Sequence, residues 1–308
     1  MRRLAAIVVF LVSAVVVVLL AAILLATCVQ RKGQIMNEQA KAVSTPGVKN
    51  LTITVTYDNN PYKQGLETEW GFAAFITGTE KTILFDTGGG RVLLDNMEKL
   101  AIKPDRVDVV VLSHIHGDHT GGLSSFLEKN SNVMVYLPVS FPKKFKDDAR
   151  NSGAKIIEIN PVRSKASISN GVKKSLQICE NVYSTGQLGK LIKEQSLIIR
   201  TDKGLVVITG CAHPGIVNIV NTAKTLMRVP ASRGPKDDIL LVMGGFHLEW
   251  ATKGRIEKII SAFKQLGVRY VGPCHCSGHK ARSLFEKHFG SNYINIGAGK
   301  VITLADLQ

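Results

Sequence analysis

Short apolar runs recur along residues 50–308 and predict the strands of a buried β-sheet structure. Several of these runs are uninterrupted, as expected for strands that are covered on both faces. Ten of them lie at 51–57, 71–77, 82–85, 109–112, 133–137, 155–159, 197–200, 205–209, 239–243 and 268–271. Two more strands are predicted near the end of the chain, at 293–296 and 301–304.

Segments with helical spacing lie between these runs. In residues 253–266, Ile256, Ile260 and Phe263 fall on one stripe, and Gly267 marks the end of the helix. Helices are also predicted at 91–100, at 215–227 and at 279–288. Strands interspersed with helices indicate an α/β fold, a layered sandwich with helices on both sides.

The first thirty residues differ from the rest, because no side chain from Leu4 to Gln30 is charged. About 20 apolar residues suffice to span a bilayer as a helix. We therefore predict a transmembrane anchor at 1–30, a polar linker at 31–49 and one domain at 50–308. Arg2 and Arg3 precede the apolar stretch, which favours a single-pass protein whose domain lies outside the cytoplasm.

Other interpretations of this segment remain open. Its apolar stretch is longer than the roughly 7–15 residues of a cleaved signal peptide. Leu25-Ala26-Thr27-Cys28 resembles a bacterial lipoprotein cleavage box, which would attach lipid to Cys28, although Gly, Ala or Ser is usual where Thr27 stands. A cytoplasmic domain is the third interpretation, since Arg31 and Lys32 follow the apolar segment. An uncleaved anchor and a lipoprotein would both hold the protein at a membrane.

The chain is basic, with a formal net charge of +15 that falls to +10 when residues 1–50 are left out. A solvated basic surface explains this charge, and an anionic substrate or anionic lipid headgroups are the functional alternatives. The sequence carries no recognisable nucleic-acid module, so a nucleic-acid partner is not expected.

One motif at the end of a predicted strand carries metal-binding chemistry. The apolar run 107–112 is followed by Ser113-His114-Ile115-His116-Gly117-Asp118-His119. Neutral imidazole and carboxylate are ligands that Zn²⁺, Mn²⁺ and Fe accept. Because alternate side chains of a strand share a face, His114 and His116 can point at one ion. Gly117 then permits a turn that brings Asp118 and His119 towards the same place.

This motif, with Phe85-Asp86-Thr87-Gly88 upstream, resembles the metallo-β-lactamase superfamily over about residues 51–304. The resemblance implies a four-layer αββα sandwich with one or two metal ions at one edge of its sheets. His114 and His116 would bind the first ion, and Asp118 and His119 the second. Asp86 would orient a ligand through a hydrogen bond. Asp118 would also act in catalysis by orienting the attacking water.

The resemblance places the remaining ligands at two later strand ends. Cys211 falls where many superfamily members carry a bridging Asp and where one group of β-lactamases carries a metal-binding Cys. The alternative for Cys211 is a small buried apolar residue. His213 is expected to replace the superfamily's middle histidine, which would fall near 183–187, where this chain has none. His275 follows the strand 268–271, where the closing histidine belongs.

Three other residues are predicted to contact the substrate. His247 follows two glycines at the end of a strand, and a satisfied buried histidine is its alternative. Ser277 and His279 stand at the start of the last helix, whose free N–H groups favour an anion such as a phosphate. Cys274 and Cys276 are expected to point away from His275 if the strand continues through them.

Residues 210–215, 244–248 and 273–278 are more specific than the superfamily motif. They resemble a subgroup of the superfamily, the 7,8-dihydropterin-6-yl-methyl-4-(β-D-ribofuranosyl)aminobenzene 5′-phosphate synthases. The predicted function is that of a membrane-anchored hydrolase with one or two divalent ions, zinc or else Fe or Mn. Hydroxide generated at the metal would attack a small, anionic or phosphorylated substrate. A synthase-type transferase and a non-catalytic metal-binding membrane protein are the alternatives, and nothing beyond the fold supports a β-lactamase.

Overall fold

The computed structural model describes residue 20 and residues 22–34, 46–161, 176–227 and 238–308. The chain divides into two units, residues 1–45 and 46–308. In the first unit, residues 22–34 form an exposed helix, α1. None of the helices in these described ranges is both long enough and apolar enough to cross a membrane. The predicted anchor at 1–30 falls largely on residues 1–19 and 21, outside the described residues.

The second unit alternates strands and helices along the chain. Its strands are β1 (Thr52–Asp58), β2 (Phe72–Thr77), β3 (Ile83–Phe85), β4 (Val109–Val111), β5 (Met134–Pro138), β6 (Lys155–Ile159), β7 (Gln177–Cys179), β8 (Val182–Ser184), β9 (Leu197–Thr201), β10 (Gly204–Thr209), β11 (Ile239–Gly245), β12 (Tyr270–Cys274) and β13 (Val301–Thr303). Its α-helices are α2 (Val92–Lys99), α3 (Gly117–Thr120), α4 (Leu123–Lys129), α5 (Lys143–Asn151), α6 (Ile216–Met227), α7 (Lys253–Gln265) and α8 (Gly278–Phe289).

These strands form two sheets. The first has the order β13-β1-β2-β3-β4-β5-β6, and the second has the order β12-β11-β10-β9-β8-β7. In the first sheet β3, β4, β5 and β6 are parallel neighbours, and in the second sheet β10, β11 and β12 are parallel neighbours. Each sheet therefore has a parallel part whose strands end on the same side, where loops can collect functional side chains.

Alternate residues of the first sheet face two different cores. Ile53, Val55 and Phe85 belong to the core shared with the second sheet and with α6, α7 and α8. Leu84 and Val110 point the other way, into a core with side chains of α2, α4 and α5. This alternation follows from the two-residue period of a strand. It produces the predicted α/β sandwich, with helices on the outer faces of two packed sheets.

The strand and helix predictions agree with the structure for most long elements and differ at several short ones. Residues 293–296 form no strand, and only an isolated bridge joins Tyr293 to Val271. The strand predicted at 268–271 begins later, because the Val268 N–H still donates to the Phe263 carbonyl at the end of α7. The sequence pattern missed β7, β8 and α5, whose apolar content is low or whose length is short.

The compact unit begins before the predicted boundary at residue 50. Val48 is buried, and its N–H donates to the Arg200 carbonyl at 3.0 Å. Residues 31–34, assigned to the linker, are helical, and residues 35–45 lie outside the described part. A backbone bridge to the second sheet thus extends the domain to Pro46.

Candidate metal centre

Five strands end at one edge of the sandwich, and each places a titratable side chain there. Asp86 follows β3, and the motif from His114 to His119 follows β4. In the second sheet Cys211 follows β10, His247 follows β11 and His275 follows β12. The carboxyl ends of parallel strands thus bring together residues that are up to 189 positions apart in the sequence, from Asp86 to His275.

The backbone is strained where several of these residues stand. Among the described residues, six non-glycine residues have a positive φ, and four of them directly follow or flank these strand ends: Asp86 (56°), Ala212 (59°), His247 (54°) and His275 (48°). Such conformations cost of order 1–3 kcal/mol each and persist where the surroundings enforce them, commonly at functional sites. They turn the chain sharply after each strand, so that the next side chain faces the site.

The first ligand group contains His114, His116 and His213. The ring centroid of His213 lies 4.8 Å from that of His114 and 4.9 Å from that of His116. His114 Nε2 and His116 Nδ1 are 3.1 Å apart. One ligand atom each of His114, His213 and Cys211 lies within 4.8 Å of the others. The structure therefore brings His213 to the two histidines of the motif.

The second ligand group contains Asp118, His119, Cys211 and His275, whose ligand atoms all lie within 4.8 Å of one another. His119 Nε2 is 3.1 Å from Cys211 Sγ and 3.3 Å from His275 Nε2. Asp118 Oδ2 is 3.2 Å from His275 Nε2. Cys211 also lies within 4.8 Å of the ligand atoms of His114 and His213, so its thiol could contribute to either group. We call these seven residues the metal-ligand cluster: His114, His116, Asp118, His119, Cys211, His213 and His275.

Hydrogen bonds behind the cluster fix the orientation of two imidazoles. The Asp86 carboxylate is fully buried, and its Oδ2 lies 2.7 Å from His119 Nδ1 and accepts from Ser113 Oγ at the same distance. Asn59 Oδ1 lies 3.1 Å from His275 Nδ1. A proton on each Nδ1 leaves each Nε2 lone pair directed at the cluster, which is the arrangement that metal-bound histidines need.

The electrostatics of the cluster favour the metal-binding forms of His114, His213 and Asp118 at neutral pH. Burial lowers the pKa of His114, and the neighbouring His119 and His213 lower it further. Burial, with His247 and His116, lowers the pKa of His213 to about 4. For Asp118, burial acts against ionisation, but the His275 hydrogen bond and the nearby imidazoles outweigh it and lower the pKa to about 2. Metal ions compete with protons for such ligands, so this state is suited to binding them.

For His119, burial lowers the pKa but the adjacent Asp86 carboxylate outweighs it and raises the pKa overall. A hydrogen bond with Cys276 and burial raise the pKa of the Cys211 thiol, so a metal ion would have to displace its proton.

Glu194 holds the Cys211 loop and was not predicted from the sequence. It is fully buried, and Oε1 accepts from the N–H groups of Cys211 at 3.0 Å and Ala212 at 2.9 Å. Oε2 accepts from the His213 N–H at 2.8 Å, and the Thr209 hydroxyl donates to Oε1. A single carboxylate thus positions two cluster residues. The only sequence signal was an acidic side chain three residues before the apolar strand β9.

Two other neighbours of His275 were also missed. Trp70 places its ring 4.8 Å from the His275 ring, and its side chain is half exposed. Asn59, described above, comes from the loop after β1. Neither has a local pattern in the sequence, because the contact with His275 spans more than 200 residues in both cases.

His247 lies beside the cluster, at its more exposed side. Its ring centroid is 4.5 Å from that of His213, and its side chain with Cys211 and Cys276 forms a third close group of possible ligands. Cys276 was expected to point away from His275 if the strand continued through it, but the strand ends at Cys274 and a 3₁₀ turn follows at His275–Ser277. The turn places Cys276 Sγ 3.3 Å from Cys211 Sγ.

The structure does not support Ser277 and His279 as substrate contacts. Ser277 is fully buried, and its hydroxyl accepts from the Phe246 N–H at 3.0 Å. His279 is exposed on the first turn of α8 and belongs to none of the ligand groups. The start of α8 is covered by Glu249, because a Cβ added at Gly278 would lie 2.7 Å from the Glu249 carboxylate. A carboxylate at that helix start disfavours a second anion there.

The residues of the cluster fit a bound divalent ion. His213 Nε2 is buried and has no hydrogen-bond partner among the residues that the structure describes, a state that costs free energy unless another group satisfies the nitrogen. Imidazole, carboxylate and thiol are together the donor set of zinc and related transition metals. The cluster could hold one ion at His114, His116 and His213 and one at Asp118, His119 and His275, with Cys211 between them.

Two packed sheets with helices outside, and a His/Asp/Cys cluster at the carboxyl ends of their parallel strands, define an α/β protein of the metallo-β-lactamase type. The family model described as the metallo-beta-lactamase superfamily matches residues 71–191. The chain belongs to this superfamily, which confirms the resemblance of the motif and the two-sheet fold.

Among its relatives is the 7,8-dihydropterin-6-methyl-4-(beta-D-ribofuranosyl)-aminobenzene-5'-phosphate synthase of Methanocaldococcus jannaschii. The two are 30% identical over 292 residues, which covers 83% of this chain and 97% of the relative. Tm1679, described as a metal-dependent hydrolase of the beta-lactamase superfamily, is 28% identical with a TM-score of 0.63 and covers 82% of this chain and 98% of its own. Human tRNase Z, short form, shares the fold at 15% identity, with a TM-score of 0.54 over 82% of this chain and 98% of its own.

The role of Asp86 can be tested by Asp86→Asn. We expect metal affinity to fall about 10- to 100-fold, the usual effect of removing a carboxylate that orients a metal-bound histidine. The amide can present its NH₂ group to His119 and so favour the wrong tautomer. Competition with a chromogenic chelator measures the change. Asp105→Asn, at an exposed position, is the control, and an Asp86→Asn protein that binds metal as tightly as this control would contradict the assignment.

Proposed function

We propose that this protein is a metal-dependent hydrolase acting on a small anionic substrate at the metal-ligand cluster. One observation carries the proposal: two groups of ligand atoms share the Cys211 thiol, and the atoms of each group lie within 4.8 Å of one another. Paired metal sites of this kind are common among hydrolases. The presence of a soft thiol favours zinc, with Fe or Mn as alternatives.

The protein's own residues supply the positioning. A divalent ion held by the cluster would supply Lewis acidity and lower the pKa of a water from 15.7 to about 7. Asp118 is the exposed acid of the cluster, since 22% of its side chain is accessible while the side chains of His119 and His275 are fully buried. Its ionised carboxylate can accept a hydrogen bond from a water and orient it towards the substrate. Trp70 and His247 stand at the accessible side, where a substrate would enter.

A synthase-type transferase is the second candidate. The relative that is 30% identical over nearly its whole length carries a synthase name. The same ligand cluster suits this chemistry, because Lewis acidity can also assist the departure of a leaving group that is replaced by a nucleophile other than water. A non-catalytic metal-binding protein is the third candidate, for which bound metal without turnover is expected.

Attachment to a membrane belongs to the same proposal. The uncharged stretch from Leu4 to Gln30 is long enough to span a bilayer. We propose a single-pass anchor with residues 46–308 outside the cytoplasm, and a lipid on Cys28 or a cytoplasmic domain as alternatives. Extraction of membranes with carbonate, and protease protection of intact cells, would separate an anchored, outward-facing domain from the other arrangements.

Metal analysis of the purified protein tests the central proposal. We expect wild-type protein to carry one or two equivalents of metal, and His116→Ala to carry less. A panel of phosphomonoesters, phosphodiesters, lactones and lactams should include a substrate whose turnover stops on chelation and returns when zinc is added.

The outcomes separate the candidates. Equal metal content in wild type and His116→Ala would contradict the metal site itself. Bound metal with turnover only when a second organic substrate is added would support the transferase. If the protein binds metal but turns over no substrate, with or without a second organic substrate, it is a non-catalytic metal-binding protein.

A further inference from the structure

A cavity of about 320 Å³ adjoins the metal-ligand cluster. Its walls come from the loop after β10, the start of α6, the loop after β11 and the outer side of α7. His213 and His247 both line it, with ring centroids 4.5 Å apart. The cavity therefore reaches a metal ligand at one end, and a molecule in it would be in contact with the cluster.

The charged side chains that the structure places along the cavity are both positive. Arg255 and Lys258 line it from α7, where a spacing of three residues places them on one face. Within the described part of the chain neither forms an ion pair, whereas Lys253 on the same helix pairs with Glu257 at 3.7 Å. No acidic side chain is among the described residues that line the cavity. Two cations without local counterions thus face one space.

The start of helix α6 adds to this charge. Ile216, Val217 and Asn218 line the same cavity and form the first turn of the twelve-residue helix α6. The first N–H groups of a helix have no intrahelical acceptor, and the helix dipole makes this end positive. The start of α6 and the two cations come from different helices and line the same cavity, a combination that favours an anion.

We propose that this cavity, the α6–α7 cavity, binds a phosphate group that the substrate carries in addition to its reacting bond. Two cations and a helix start suit the double negative charge of a phosphate monoester better than the single charge of a carboxylate. This inference rests on the proposed function, because it assigns the substrate class of the same centre. It replaces the start of α8 as the expected phosphate position, since Glu249 already covers that helix end.

Titration of the full-length protein with inorganic phosphate, after the metal has been removed with a chelator, tests the proposal by calorimetry. Without metal, phosphate cannot bind to the ions of the cluster, so the signal reports the cavity. We expect Arg255→Gln and Lys258→Gln each to weaken phosphate binding about tenfold and the double variant to weaken it further. Lys264→Gln, exposed in the last turn of α7 and outside the cavity, should bind as wild type does.

Three results would overturn the proposal. They are the absence of phosphate binding by the metal-free wild type at millimolar concentrations, unchanged affinity in the double variant, and acetate binding as tightly as phosphate. These outcomes differ from failure of the proposed function, which appears in the metal content and not in phosphate binding. Circular dichroism of each variant verifies that it is folded, and both substituted positions are exposed.

Discussion

Replacing His119 by alanine is expected to remove the ion of the second ligand group and to lower kcat/KM by about 10³-fold or more. His119 lies between the cluster and the carboxylate behind it: its Nε2 is 3.1 Å from Cys211 Sγ and 3.3 Å from His275 Nε2, and its Nδ1 is 2.7 Å from Asp86 Oδ2. A catalytic metal contributes several kcal/mol to transition-state stabilisation, and each 1.36 kcal/mol is about a factor of ten in rate. Metal content by mass spectrometry and turnover of the substrate found in the panel measure the two effects.

The control for this substitution is His288→Ala, which removes an exposed histidine at the end of α8. Because His119 is fully buried, His119→Gln is a second variant that keeps volume and a donor for Asp86 while it removes the imidazole. Wild-type metal content and turnover in both His119 variants would show that the second group binds no catalytic ion.

Replacing Glu194 by alanine is expected to destabilise the fold by about 3–5 kcal/mol, the range found when one partner of a buried charged network is removed. Four donors would lose their acceptor: the N–H groups of Cys211, Ala212 and His213, and the Thr209 hydroxyl. Each buried donor without an acceptor costs about 1–3 kcal/mol, and partial entry of water reduces the sum. Urea unfolding of the metal-free protein gives the change in the free energy of unfolding.

Glu194→Gln should cost less, since the amide keeps one acceptor oxygen and nearly the same volume. Glu286→Ala, at an exposed position of α8, should change stability by no more than about 0.5 kcal/mol. If Glu194→Ala unfolds within about 1 kcal/mol of wild type, Glu194 does not hold this loop. The two Glu194 variants should also bind metal more weakly, and the less stable variant should bind it most weakly, because the same loop carries Cys211 and His213.

The sequence pattern was sufficient for the long buried elements. Runs such as 205–208 and 239–243 are apolar throughout, and the structure buries β10 and β11 completely in the second sheet. Weak patterns were not sufficient. α5 consists mainly of charged residues, and part of its stability comes from local pairs such as Lys144–Asp148, which the apolar pattern does not record. β7 and β8 have three residues each, too few for a recognisable period.

The same division applies to the site. His114, His116, Asp118 and His119 are close together in the chain, so their common function was visible in a single motif. His213 and His275 were identified by resemblance to a family. Asn59 and Trp70 had no signal, because their contacts connect distant segments, as in the 216-residue separation between Asn59 and His275. Glu194 had only a weak signal, its position before a buried strand. Ser277 was predicted as a substrate contact from its place before a helix, and in the structure its hydroxyl accepts from the Phe246 N–H.

The sequence by itself determined the long buried strands, the residue types of a metal site and the uncharged stretch at the N-terminus, because each is encoded by neighbouring residues. Only the tertiary structure decided which strand ends meet, that Cys211 lies between two ligand groups, and that the Glu194 carboxylate fixes its loop. It also moved the proposed phosphate position from α8 to the α6–α7 cavity. The physical reason is that hydrogen bonds and charges act over a few ångströms in space, whatever the distance between their partners in the chain.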